Sequence, residues 1–90
     1  MEKGLPQFRA QIDALDEKIV GLLAKREKVV RAVGEFKSKH DILSMDPERK
    51  AAVTENFKQN AVREGLNVKF AEELYELIHK YAIIIEESFK

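Results

Sequence analysis

The chain has 90 residues and no cysteine, and its 16 lysines and arginines balance its 16 aspartates and glutamates. This length predicts one domain over 1–90, with a core so small that association with a second chain is expected. The balanced charge argues against a nucleic-acid or membrane partner, and the lack of cysteine excludes disulfides and thiolate chemistry. Because no targeting segment and no run of about 20 apolar residues occurs, we expect a cytoplasmic location.

The first predicted helix is long and covers about residues 6–38, because Pro6 suits a helix start and no further proline follows before Pro47. Its apolar residues recur in steps of four and three, the repeat of a coiled-coil seam, at Phe8, Ile12, Leu15, Ile19, Leu22, Val29, Val33 and Phe36. Such a helix extends roughly 50 Å, which exceeds the compact diameter expected for this chain length. A second chain is therefore expected to cover the seam.

Two shorter helices are predicted after the first. Asp46 and Pro47 have the form of an N-cap and a first helical residue, and they start a helix over 47–64. Gly65 is suited to end that helix as a left-handed cap. The third helix covers about 68–89 and carries a continuous apolar side. The predicted fold is all-α, with three helices in each chain.

One seam position holds Arg26, and a buried guanidinium requires an anion, either a carboxylate of another helix or a ligand. Lys37 returns to within about 20° of the same face roughly 16 Å along the helix, so the two cations can bracket a small ligand. Lys37 taken alone is equally typical of a solvated charge at a helix end. Arg9 precedes Arg26 by about 25 Å, so it can join the same site only from a second chain.

Further candidates lie on the two shorter helices. Arg49 occupies a first turn, where backbone N–H groups favour an anion, although a lone cation there is more often a surface residue. Glu86 ends the apolar run of the third helix about 40° from Ala82 on the helical wheel, so it can face the interior. A buried carboxyl is favoured in its protonated form, in which it donates a hydrogen bond. The alternatives are an ion pair with Arg26 and a solvated carboxylate.

Other chemistry finds no support in the sequence. His40 and His79 lack the spacing of metal ligands, and neither a Ser-His-Asp order nor a Gly-rich phosphate loop is present. We therefore expect no metal and no cofactor.

Four segments carry a resemblance to a known family: Arg9-Ala10-Gln11-Ile12-Asp13-Ala14-Leu15-Asp16, Leu22-Leu23-Ala24-Lys25-Arg26, Val33-Gly34-Glu35-Phe36-Lys37 and Asp46-Pro47-Glu48-Arg49. They resemble the all-helical chorismate mutases, and the likeness continues to Glu86 with almost no gaps. The resemblance implies an intertwined homodimeric helical bundle. It also implies the Claisen rearrangement of chorismate to prephenate in phenylalanine and tyrosine biosynthesis, which needs no cofactor.

The resemblance also implies roles for single residues. Arg26 is similar to the arginine that binds a substrate carboxylate in its own subunit, and Lys37 to the lysine that contacts a carboxylate and the ether oxygen. Arg9 is similar to the arginine that reaches a carboxylate from the other subunit. Asp46 and Arg49 resemble residues near the ring hydroxyl.

Two positions depart from the commonest pattern of that family. Glu86 stands where many members have a glutamine that donates to the ether oxygen, so its catalytic role requires a proton and activity should fall as pH rises. Lys50 stands where many have a glutamate that accepts from the ring hydroxyl, which leaves isochorismate-pyruvate lyase as an alternative. Ala82 and Lys50 complete the predicted substrate-binding set. A mutase-like dimerisation or regulatory domain of a larger aromatic-biosynthesis enzyme is the non-enzymatic alternative.

Overall fold

The computed structural model describes residues 4–90, which form three helices, α1 (Leu5–Lys39), α2 (Pro47–Glu64) and α3 (Val68–Glu87). Residues Met1–Lys3 lie outside the described part of the chain. They belong to the N-terminal segment in which we expected no targeting signal. The helix α3 packs against both α1 and α2. The predicted all-α class is confirmed, and within residues 4–90 no helix combines the length and apolarity that crossing a bilayer requires.

The predicted starts of both short helices and the predicted end of α2 are confirmed. Asp46 Oδ1 accepts a hydrogen bond from the backbone N–H of Arg49 at 3.1 Å, which satisfies a donor that the first turn of α2 leaves free. Gly65 ends α2 with φ of 73°, a left-handed conformation that glycine adopts without a Cβ penalty. Asn67 Oδ1 caps α3 by accepting from the N–H of Phe70 at 2.9 Å.

The end of α3 differs slightly from the prediction, because the helix stops at Glu87 rather than at 89. Beyond it the chain turns back onto α1 and the loop that follows α1. Ser38 Oγ donates to the carbonyl of Phe89 at 2.7 Å, and Lys90 Nζ donates to the carbonyl of Ile42 at 2.6 Å. These hydrogen bonds join residues that are far apart in the sequence, so the periodicity of a single helix does not predict them.

The apolar seam of α1 is exposed along its length in the single chain. Its large apolar members are between 38% and 65% exposed, namely Phe8, Ile12, Leu15, Ile19, Leu22, Val29, Val33 and Phe36. The molecule extends 60 × 23 × 15 Å, and its radius of gyration is 16.7 Å. A compact domain of this length has a radius of gyration of about 12 Å. The chain by itself therefore leaves its main apolar face uncovered.

Close contact between α1 and α3 depends on Gly34, which is buried. A Cβ at this position would lie 2.9 Å from Glu86 Cα and 2.9 Å from Phe89 Cδ2, both closer than van der Waals contact allows. The missing side chain lets α3 approach α1 beside Glu86, and Lys37, one helical turn after Gly34, then reaches the Glu86 carboxylate.

We expect Gly34→Ala to lower the free energy of unfolding by about 1–3 kcal/mol, because the added methyl group forces the two helices apart. Gly21→Ala is the matched control, since nothing lies within 4 Å of a Cβ there. It should stabilise α1 by about 0.5–1 kcal/mol through its better helix propensity. Urea unfolding at equal protein concentrations measures both changes, and a Gly34→Ala variant as stable as Gly21→Ala would contradict the close approach.

Candidate active site

A cavity of about 290 Å³ opens between the C-terminal half of α1, the start of α2 and α3. Valine, alanine and isoleucine side chains form much of its wall, and its charged lining residues are Arg26, Lys37, Asp46, Arg49, Lys50 and Glu86. With Ala82, which also lines it, the cavity brings together seven of the eight predicted site residues. Four cations face two carboxylates, so the wall carries an excess of positive charge.

The most enclosed charges of the cavity are Lys37 and Glu86, whose Nζ and Oε1 atoms lie 2.8 Å apart. Glu86 is only 7% exposed, as its position on the helical wheel predicted. Lys37 Nζ also donates to the carbonyl of Ser44 at 2.9 Å, so the interpretation of Lys37 as a solvated helix-end charge is wrong. The alternative pairing of Glu86 with Arg26 is also wrong. Because the Lys37 ammonium approaches Glu86 Oε1 off a hydrogen-bonding direction, this oxygen retains hydrogen-bonding capacity within residues 4–90.

Arg26 is half-buried and lines the cavity from the middle of α1. Among residues 4–90 no carboxylate lies within ion-pair distance of its guanidinium. Within residues 4–90 the structure therefore does not support the first alternative for Arg26, an ion pair with a carboxylate of another helix. A guanidinium that is partly desolvated and has no such partner is suited to bind a carboxylate ligand through two parallel hydrogen bonds, that is, in a bidentate manner.

The start of α2 contributes polar groups to the opposite wall. Asp46 and Arg49 line the cavity together, while one Asp46 oxygen is engaged in capping the helix. Lys50 also lines the cavity, and its Nζ lies 3.3 Å from Oε2 of Glu76 on α3. The charge that Lys50 adds to the site is thus partly balanced by a carboxylate outside the cavity wall.

Arg9 is the predicted site residue that the single chain leaves far from the cavity. It lies on the exposed N-terminal part of α1, seventeen residues before Arg26. At 1.5 Å per residue this corresponds to about 25 Å along an unbroken helix. The structure therefore brings no part of Arg9 to the cavity of its own chain.

Sequence reasoning missed His79, a half-buried residue that lines the cavity beside Lys50 and Glu86. Burial lowers the pKa of His79 below its usual value, and the positive charges of Lys50 and Arg26 lower it further against the opposing effect of nearby carboxylates. The signal was present in the spacing, because His79 precedes Glu86 by seven residues and so lies on the same helical face.

The fold and the cavity define a class of protein, an all-helical domain with a cation-rich pocket. A family model described as chorismate mutase type II matches residues 8–87. The chorismate mutase of Methanocaldococcus jannaschii is 31% identical, with 84% of this chain and 81% of that protein covered. The chain belongs to the chorismate mutase type II family.

Other relatives show how varied the setting of this domain is. The 4-amino-4-deoxychorismate mutase of Streptomyces pristinaespiralis is 31% identical, over 94% of this chain and 66% of that protein. A bifunctional chorismate mutase/prephenate dehydratase of Buchnera aphidicola is 31% identical over 93% of this chain and 22% of its own length. The chain thus spans less than a quarter of the length of such bifunctional relatives.

Proposed function

We propose that this chain catalyses the Claisen rearrangement of chorismate to prephenate, in the cytoplasm, as a step of phenylalanine and tyrosine biosynthesis. The observation that carries this proposal is the position of Arg26, which opens onto the same cavity as Lys37 and has no ion-pair partner within residues 4–90. Two separated cations suit the two carboxylates of chorismate. The cavity of about 290 Å³ is close to the lower end of small-molecule pockets, about 300 Å³.

The proposed mechanism uses positioning and electrostatics. Arg26 and Lys37 hold the two carboxylates so that the reacting carbons approach each other in a chair-like conformation. As the C–O bond breaks and the new C–C bond forms, negative charge develops on the ether oxygen. Lys37 donates a hydrogen bond to this oxygen, and Glu86 donates a second once a proton replaces its ion pair with Lys37. By comparison with other groups aimed at developing negative charge, each contributes about 3–4 kcal/mol to lowering the barrier. Every bond changes within one molecule, so no nucleophile is required.

We also propose that the active form is an intertwined homodimer in which the partner supplies Arg9. The exposed seam of α1 supports this, as does the solvent-accessible surface of the chain, 7376 Å². A compact protein of this mass exposes about 5,400 Å², so about 2,000 Å² per chain is in excess. Two chains together would then cover about 4,000 Å², which lies within the range that obligate homodimers bury. A second cavity of about 210 Å³, on the other side of Arg26 and lined mainly by apolar side chains, adds to the surface that a partner would cover.

The decisive assay incubates the protein separately with chorismate, isochorismate and 4-amino-4-deoxychorismate, and identifies the products. We expect prephenate from chorismate. The amino analogue should react more slowly, because its ammonium group is repelled by the cations Arg49 and Lys50 at the start of α2. Release of pyruvate from isochorismate, without rearrangement of chorismate, would establish the lyase instead. A folded protein that converts none of the three would be a dimerisation or regulatory domain.

The proposed role of Glu86 predicts the effect of replacing it. Glu86→Gln offers an N–H to the ether oxygen and should keep or raise kcat for chorismate, whereas Glu86→Leu offers no donor and should lower kcat by about 100- to 1,000-fold. Glu87→Leu is the matched control, because the neighbouring Glu87 is exposed and its loss should leave kcat unchanged. A folded Glu86→Leu variant as active as the parent protein would show that Glu86 does not donate.

A further inference from the structure

The helix α3 presents one continuous stripe to the cavity. Its cavity-lining residues follow at helical spacing and are Tyr75, His79, Ala82, Ile83 and Glu86. His79 is the polar residue in the middle of this stripe, and its ring centroid lies 5.9 Å from that of the buried Tyr75. A neighbouring aromatic ring restricts the orientation of the imidazole, so His79 is held as part of the wall.

The cavity is rich in hydrogen-bond donors and has few free acceptors. Arginine and lysine side chains only donate. Of the two carboxylates, Asp46 has one oxygen engaged at the start of α2, and Glu86 is paired with Lys37. A neutral imidazole offers one acceptor nitrogen and one N–H. His79 therefore adds an uncharged acceptor to a wall whose other uncharged side-chain acceptors are the hydroxyl oxygens of Ser44 and Tyr75.

We propose that His79 binds the substrate by accepting a hydrogen bond from its ring hydroxyl. This inference rests on the proposed function, because chorismate carries one hydroxyl besides its two carboxylates. In that function Arg26 and Lys37 on α1 take the carboxylates, which leaves the hydroxyl to the walls formed by α2 and α3, where Lys50 and His79 both line the cavity. Lys50 itself cannot accept a hydrogen bond, and its charge is oriented toward Glu76.

The surroundings of His79 keep it in the form that accepts. The titratable and charged groups that face it come from all three helices and are Arg26, Lys50, Tyr75, Glu76 and Glu86. Burial and the two cations lower the pKa of the imidazole, although Glu76 and Glu86 oppose this. Protonation at acid pH would remove the acceptor and place a further cation beside Lys50. We therefore expect kcat/KM for chorismate to fall as pH decreases through the pKa of His79.

A direct test follows the two histidines by NMR, with His40 as an internal control because it caps the end of α1 outside the cavity wall. The probe is a stable bicyclic dicarboxylate that mimics the chair-like transition state and carries the ring hydroxyl. At saturation, the imidazole resonances of His79 should shift, while those of His40 remain unchanged. An unmoved His79 in the saturated protein would overturn the inference. If the analogue does not bind and chorismate is not converted, the proposed function fails and this inference fails with it.

Two variants test the same contact by kinetics. His79→Leu should reduce kcat/KM for chorismate by about 5- to 100-fold, because the substrate hydroxyl loses its partner in a partly desolvated site. His79→Gln retains an uncharged acceptor, so it should recover part of that loss and lack the fall at acid pH. His40→Leu should leave both the rate and the acid limb unchanged. If His79→Leu does not fold, His79→Gln and the NMR titration decide. An acid limb that persists in a folded His79→Gln variant would also overturn the inference.

Discussion

Replacing Arg26 by leucine is expected to reduce kcat/KM for chorismate by about 100- to 1,000-fold, as removal of a single charge-stabilising donor does in other active sites. The guanidinium lies half-buried at the cavity wall with no carboxylate of residues 4–90 in ion-pair distance. Its proposed partner is the substrate, so the substitution removes a bidentate contact with a substrate carboxylate. Steady-state kinetics with chorismate measure the effect.

Arg31→Leu is the matched control for this substitution, because it removes the same side chain from the same helix. Arg31 is exposed and forms only a surface pair with Glu27 at 3.7 Å, so its loss should change activity less than twofold. The dimer should persist in the Arg26→Leu variant, since leucine makes the seam more apolar. A dimer that is strengthened while chorismate conversion is unaffected would show that Arg26 has a structural role only.

Mixing two inactive variants is expected to restore activity if Arg9 acts across the dimer. In a heterodimer of Arg9→Ala and Arg26→Ala chains, one site combines the intact Arg26 of one chain with the intact Arg9 of the other. The second site lacks both. Random pairing of equal amounts makes half of the dimers heterodimers, so about one quarter of the parental activity should return.

The experiment requires co-refolding from denaturant so that subunits exchange, and each variant refolded alone is its control. Activity returns only if each active site takes residues from both chains. If each chain built its whole site alone, every site in the heterodimer would still carry one of the two substitutions, and pairing would restore nothing. Arg9 lies about 25 Å from Arg26 along α1, so its own cavity cannot use it. A mixture no more active than its components, although mass spectrometry detects heterodimers, would contradict the contribution of Arg9 from the partner.

Much of the fold was predictable because its signals are local. The cap at Asp46 and the left-handed turn at Gly65 follow from the chemistry of neighbouring residues, and both are confirmed. The prediction of where α3 ends was less accurate, because Phe89 and Lys90 lie beyond the helix and form hydrogen bonds with distant parts of the chain. Such contacts leave no periodic pattern in the sequence.

The candidate site was predictable to the extent that residues share one helix. Helical spacing related Arg26 to Lys37 and turned Glu86 inward, and the structure places all three on one cavity. Spacing within a helix does not say which residue of another helix lies opposite. For this reason helical spacing did not identify Lys37 as the partner of Glu86. An ion pair with Arg26 and a solvated carboxylate were the alternatives to a buried, protonated carboxyl, whereas the structure pairs Glu86 with Lys37. The same spacing contained the signal for His79, which was not used.

The sequence by itself determined the three helices, the apolar seam and the need of Arg26 for an anion, because periodicity and desolvation act along a single helix. Only the tertiary structure decided which charges meet across helices. Gly34 allows α1 and α3 to approach closely, and this approach pairs Lys37 with Glu86. The pairing of Lys50 with Glu76 likewise depends on how α2 lies against α3. Packing distances of this kind are set by the whole fold, so no local pattern records them.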